Sequence, residues 1–239
     1  MRQIVKDYEV ICELTKCKYS PLGYSTGPKS LIHHILDNSQ NVEVLDIGFG
    51  TGELGELIKT FDQTSHWAID GIDGWEPNCS NKILFDKKYY RNIYLGNALD
   101  LKAEQFNSYK IICLLDVIEH LTPDAAKYIL RTLLSNMSED AYLFVSTPLW
   151  FMPQAPVNEG DLEEHLIGIP ATSMMSLLPV MYAIGHQLVG CFIYSKRSLD
   201  YIELFHTVTD KNFNIHMGEN LLKIMNMNYS TGTFIKTGF

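Results

Sequence analysis

The stretch "VLDIGFGTGELG", residues 44–55, decides the fold. A short apolar run carrying one aspartate, Asp46, passes directly into Gly48, Gly50 and Gly52 at every second position. Glycine there lets the backbone turn sharply out of a buried strand and approach a ligand where any side chain would collide. A helical pattern follows, so the unit reads strand, bare turn, helix. That is the opening step of a parallel sheet with crossover helices.

The alternation continues outward from this unit. Strands are expected at 43–47, 67–72, 93–95, 110–115, 142–146, 187–194 and 199–208, and helices at 28–36, 52–60, 77–85, 123–135 and 172–184. Pro28, after Gly27, suits a first helical position. Only residues 195–198 separate the last two strands, which fits a hairpin, so the sheet is expected to end antiparallel. Three parts follow: an N-terminal helical or lid segment 1–40, a core 41–209 with an insert 149–170, and a C-terminal extension 210–239. In the first part, "KYSPLGYSTGPKS" holds Tyr19, Tyr24, Ser25 and Thr26 just before a helix beside the glycine loop.

Composition bounds the partners. A chain of 239 residues, 46% hydrophobic, has enough apolar material for one full core. Its formal charge of -9 repels phosphate backbones and no Lys/Arg block offsets it, so nucleic acid is a disfavoured partner. The N-terminus mixes Arg2, Lys6, Asp7 and Glu9 into its apolar residues, unlike a signal peptide, and no apolar run is long enough to span a bilayer. A cytoplasmic protein without a membrane partner is expected. Five scattered cysteines without a CxxC pair suit reduced thiols. Self-association is left open.

The glycine loop narrows the ligand. A dinucleotide fingerprint places its first glycine directly after the strand; counted from Gly48, its third small residue falls on Glu53, which weakens NAD or FAD. A Walker loop fails, since no GK[ST] follows. Asp46 near the strand end repels a pyrophosphate and suits an adenosine cofactor that carries positive charge, such as S-adenosylmethionine. Asp73 in "AIDGIDGWEPN" stands about 20 residues beyond the loop, where a carboxylate accepts ribose hydroxyls. Asp70, inside the apolar run, is the second choice.

At this point the chain resembles the class I S-adenosylmethionine-dependent methyltransferases over roughly residues 42–148. "LDIGFGTG" looks like the family's first motif, "GIDGWEPN" like its second, "GNALDL" (96–101) like its third and "LLDVIEHLTPD" (114–124) like its fourth; "LFVSTP" resembles the fifth-strand segment. The resemblance implies an α/β Rossmann-like fold, a mostly parallel central sheet with an antiparallel last strand and helices on both faces. It implies S-adenosylmethionine as cofactor and S-adenosylhomocysteine as product. Asp46, Gly48 and Gly50 would lie along the methionine part, with Gly52 also among the cofactor-binding residues, Asp73 on the ribose, and Asn97 with Ala98 at the adenine. Trp75 is placed to stack on that ring. Many members have Asp where Asn97 stands. The N-terminal segment looks like the family's cofactor lid.

The sulfonium is an activated methyl donor, so the protein chiefly aligns an acceptor, and an alcohol or phenol also needs a base or a metal. Candidates fall in "DVIEH", with Asp116, Glu119 and His120 after the fourth strand expected to border the cofactor's methyl end in a fold of this type, and in the insert, with Asp161, Glu163, Glu164 and His165. These segments resemble the small-RNA 3′-terminal 2′-O-methyltransferases and the ubiquinone-pathway O-methyltransferases. That likeness offers Asp116, Glu119, His120 and His165 as ligands of a divalent cation such as Mg²⁺, with Asp116 replacing a usual glutamate. Without a metal, His165 is the preferred general base, with His120 and Glu119 as further catalytic candidates. The expected activity is methyl transfer to oxygen of a small-molecule acceptor. N-methylation, or a non-catalytic module that binds S-adenosylmethionine, are the alternatives.

Overall fold

Every residue of Ile111–Leu115 and of Tyr142–Pro148 is buried, as strands covered on both faces require. They lie at the centre of a seven-stranded sheet: β1 (Glu43–Ile47), β2 (Ala68–Asp73), β3 (Asn92–Leu95), β4 (Ile111–Leu115), β5 (Tyr142–Pro148), β6 (Met181–Ile184) and β7 (Val189–Tyr194). The spatial order is β3-β2-β1-β4-β5-β7-β6. All neighbours pair parallel except β7, which runs antiparallel to both β5 and β6. The computed structural model describes Lys29, Ile32, residues 41–184 and residues 188–196. The chain divides into two compact units, and every described residue lies in the first.

Alternation along the strands sends side chains to two cores. Val44, Ile69, Cys113 and Phe144 face one way and pack under Leu54, Leu57 and Ile58 of α1 (Glu53–Thr60). Leu45, Ile47, Ile112 and Leu143 face the other and pack under Ala126, Ile129 and Leu133 of α4 (Pro123–Asn136). The last three recur at helical spacing, and Thr122 caps the helix before Pro123 by accepting from the Ala125 N–H. Among the described residues no helix is long and apolar enough to cross a membrane.

Two expected helices differ. The span 77–85 is two short helices, α2 (Glu76–Cys79) and α3 (Lys82–Asp86), because Asn81 starts a new one by capping the Ile83 N–H. The span 172–184 is helical only over α5 (Ala171–Met175) and then becomes β6. Pro179 pushes the residue before it out of helical geometry, and the β-branched and aromatic residues that follow favour a strand. The antiparallel ending therefore arises one step earlier than the sequence suggests, with β7 returning between β5 and β6. The expected helix at 28–36 beyond Lys29 and Ile32, the lid loop, the strand at 199–208, half of its connecting turn and the 210–239 extension lie outside the described residues.

Candidate active site

The strand order reverses between β1 and β4, and loops leaving opposite ways from that point open a crevice at the carboxyl ends of the strands. A cavity of about 500 Å³ occupies it. Its floor is the glycine turn. Gly48, Gly50 and Gly52 have φ of +71°, +54° and +89°, in the left-handed region that side chains disfavour. Their surroundings differ. A Cβ on Gly48 would meet Val117 Cγ2 at 2.5 Å and one on Gly52 would meet Leu84 Cδ2 at 2.3 Å, whereas one on Gly50 would meet nothing within 4 Å. Gly50 alone of the three is bare toward open space.

Asp73 ends β2 and is buried. Its carboxylate accepts from the Gly50 N–H at 2.9 Å, the Trp75 N–H at 2.8 Å and Asn78 Nδ2 at 3.3 Å, which fixes it in the cavity wall beside the glycine turn. Asp70 is not in that wall; Arg91, Tyr109 and Asn92 take its carboxylate. Trp75 and Ala98 line the cavity half-buried. Asn97, also lining it, accepts from the Leu99 N–H at 2.9 Å through Oδ1. That cap orients the amide and leaves Nδ2 as its donor end.

Asp46 is 2% exposed and accepts the Tyr90 hydroxyl at 2.7 Å. Burial pushes its carboxyl up to about 7 against that bond and the Lys29 charge. Tyr90 had no signal in the sequence. Its ring fits because its neighbours lack side chains: a Cβ would stand 2.8 Å from it at Gly55 and 3.0 Å from it at Gly71.

Asp116 follows β4 with φ of +54°, an uncommon conformation for a residue with a side chain. Ser146 Oγ donates to its Oδ1 at 2.6 Å, and Lys29 Nζ lies 2.7 Å from its Oδ2. The same Nζ lies 3.0 Å from Glu53 Oε2. Lys29 is buried, and although burial opposes its charge, Asp116 and Glu53 together hold its pKa above the ordinary lysine value. Neither Lys29 nor Glu53 stood out in the sequence, although Lys29 directly follows Pro28, the position at which the sequence leads one to expect a helix start.

The turn Ile118–His120 brings Glu119 and His120 together with His165 of the insert. One ligand atom from each lies within 4.8 Å of the others. Glu119 is 2% exposed, and neither carboxylate oxygen has a hydrogen-bond partner. Burial, and then the Asp116 charge, push its carboxyl up to about 8, and the Lys29 charge offsets this only in part; the Thr147 hydroxyl is spent on the Pro148 carbonyl. His120 Nδ1 meets the Glu164 carbonyl at 3.0 Å and His165 Nδ1 meets the Met152 carbonyl at 2.7 Å. A carbonyl only accepts, so each Nδ1 carries a proton and Nε2 is the ring atom left to offer a lone pair. Burial lowers the His120 pKa and favours its neutral ring. The rings lie 4.7 Å apart, edge to face.

Imidazoles oriented by carbonyls and a buried carboxylate without a partner are what a divalent cation requires of its ligands, so these three residues fit one. Asp116 does not join them, because Lys29 and Ser146 hold its oxygens. The insert is tied to this turn by the Leu166 and Ile167 N–H groups, which donate to the Glu119 carbonyl at 2.8 and 3.2 Å. Asp161, Glu163 and Glu164 line the cavity along with Asp46, Glu53, Asp73 and Asp116. The Asp161 carboxylate holds its own loop by accepting from the Val157, Asn158 and Glu163 N–H groups.

A family model described as a methyltransferase domain matches residues 24–201. No curated protein matches the chain. Among solved structures the chain is similar to the PH0226 protein from Pyrococcus horikoshii OT3, with a TM-score of 0.54, 11% identity, and 80% of this chain and 92% of that one covered. It is also similar to the small RNA methyltransferase HEN1, with a TM-score of 0.54, 17% identity, and coverage of 75% and 27%. A third likeness is to the neocarzinostatin-biosynthesis O-methyltransferase NcsB1 in complex with S-adenosylmethionine and a naphthoic acid, with a TM-score of 0.48, 14% identity, and coverage of 70% and 52%. The chain thus spans about a quarter of the HEN1 chain and about half of the NcsB1 chain. The family match takes in the glycine turn, all seven strands and the insert, and by it the chain belongs to the methyltransferase-domain family as an S-adenosylmethionine-dependent methyltransferase.

Proposed function

We propose that the protein methylates a hydroxyl oxygen of a small-molecule acceptor, with Glu119, His120 and His165 holding a divalent cation such as Mg²⁺ beside the cofactor. The observation that carries this reading is the buried Glu119 carboxylate without a partner, next to two imidazoles whose Nδ1 atoms are spent on backbone carbonyls. A bound cation would lower the pKa of a hydroxyl it touches, which an oxygen acceptor needs and an uncharged amine does not. In the cofactor's half, Asp73 receives the ribose, Asn97 and Ala98 face the adenine with Trp75 against its ring, and Gly48 and Gly50 pass under the methionine part, while Gly52, which does not line the cavity, shapes the turn. Asp46 and Asp116 set the negative field that suits a sulfonium. The insert helps to keep water from the methyl group. A small acceptor follows from the seven carboxylates of the cavity wall and the formal charge of -9, both of which repel a polyphosphate strand.

The test is titration calorimetry of Mg²⁺ and Mn²⁺ into the wild type and into Glu119→Gln and His165→Gln, with turnover measured on hydroxyl and amine acceptor panels. One site in the wild type, lost in both variants, with hydroxyl turnover abolished by a chelator, is expected. Turnover that survives the chelator overturns the cation; methylation confined to amines overturns the oxygen acceptor. Cofactor binding without turnover on either panel favours a binding module.

A further inference from the structure

The insert touches both halves of the site. At one end it is tied to the three cation candidates: the Leu166 N–H donates to the Glu119 carbonyl at 2.8 Å, and the Glu164 carbonyl meets His120 Nδ1 at 3.0 Å. At the other end Leu162 lies on the loop that follows Asp73, so close that a Cβ on Gly74 would stand 2.9 Å from its Cδ1. The backbone between is braced, because Asp161 accepts from the Glu163 N–H at 3.2 Å and Gln154 Nε2 donates to the Glu163 carbonyl at 2.8 Å. His165 follows Leu162 by only three positions.

Leu162 is 60% exposed, although it lines the cavity with Ile72, Trp75 and Ala98. A leucine facing an open cavity gains burial only when a ligand fills the space beside it. The far end of the same stretch meets a buried carboxylate without a partner, and a cation shared by Glu119, His120 and His165 would pin the insert to the Glu119 turn.

We propose that Leu162 is a positioning residue that carries the state of the cation site to the cofactor. A cation at Glu119, His120 and His165 fixes the insert, and the fixed insert holds Leu162 against Gly74 over the cofactor's side of the cavity. The inference rests on the cation reading given above. Such coupling is reciprocal, so cation and cofactor raise each other's affinity by one factor. Charge alone predicts otherwise: a cation repels the sulfonium of S-adenosylmethionine and leaves S-adenosylhomocysteine, which lacks it, nearly unaffected.

The experiment is calorimetric binding of S-adenosylhomocysteine to the wild type, Leu162→Ala and Leu162→Met, each with saturating Mg²⁺ and with a chelator, and of Mg²⁺ with and without S-adenosylhomocysteine. In the wild type Mg²⁺ should tighten S-adenosylhomocysteine at least about fivefold, the lower end of usual coupling between sites, and the reverse effect should equal it. Leu162→Ala, at an exposed position, should still take up Mg²⁺ but lose the coupling, while Leu162→Met keeps most of it. A wild type that binds the two ligands independently overturns the proposal, whatever the variants do, and leaves the cation reading standing. Coupling that persists undiminished in Leu162→Ala overturns it as well. A wild type that takes up no Mg²⁺, with or without S-adenosylhomocysteine, overturns the cation reading and this inference with it.

Discussion

Replacing Tyr90 with Phe removes one hydroxyl and keeps the ring that packs against Phe49, with centroids 5.2 Å apart. What is lost is the 2.7 Å bond to Asp46. The size of the loss depends on whether Asp46 is charged. Its pKa lies near 7 in the fold, raised by burial and by the Asp73 and Glu53 charges and lowered by Tyr90 and Lys29. In the unfolded chain it returns to about 4. A raised carboxyl means that the folded state holds the proton longer, so stability declines as pH rises from about 4 toward 7 and levels off above. At pH 6 Asp46 is mostly protonated and Tyr90→Phe forfeits a neutral hydrogen bond, about 0.5–1.5 kcal/mol. At pH 8.5 the wild-type carboxylate is ionised and the variant forfeits a charge-assisted bond, about 1.5–3 kcal/mol, while its Asp46 titrates higher still. Urea melts of both proteins at the two pH values should show a penalty about 1–2 kcal/mol larger at pH 8.5. An Asp46→Asn background should abolish the difference. A penalty that is equal at both pH values refutes the buried, late-titrating aspartate.

The glycine turn separates folding from binding. Gly52→Ala combines left-handed strain with a clash on Leu84 and should cost about 2–4 kcal/mol of stability in denaturant melts. Gly50→Ala carries only the backbone strain, about 1–2 kcal/mol, and should instead weaken S-adenosylhomocysteine strongly in calorimetry, since its Cβ enters open space in the cavity floor. Asp73→Ala should weaken that ligand at least tenfold and also loosen the turn, because the Gly50 and Trp75 N–H groups lose their acceptor. Asn97→Ala should lower affinity less and leave the melting temperature within a few degrees, as its cap serves only the short turn Ala98–Asp100.

How far the sequence reaches depends on how local the signal is. Strand β1, the glycine turn and α1 are legible because period, glycine spacing and strand length all lie within the single stretch 43–60. The acid at the end of β2 follows from the same arithmetic. β6 is not legible, because Val180–Ile184 reads as the tail of a helix until Pro179 is given its full weight. The Glu119, His120 and His165 meeting is half legible: the first two are adjacent, whereas His165 arrives through backbone bonds across the insert that leave no trace in residue type. Asp116, grouped with them by motif, is diverted by Lys29, a partner 87 positions away along the chain. Long-range ion pairs of that kind are invisible to spacing.

The ring of Tyr90 has a consequence for how such chains diverge. It occupies the room left by Gly55 and Gly71, two glycines on different elements that face no ligand. Those positions and position 90 therefore form one steric unit across helix, strand and loop, and they should drift together over evolution. A relative with a small residue at 90 loses the buried phenol and relieves position 55 of that ring, whereas position 71 stays closed by Phe49, which a Cβ there would meet at 2.7 Å. Part of the glycine richness of the opening motif thus records an aromatic neighbour rather than a cofactor, and Gly55 gains room wherever that neighbour shrinks.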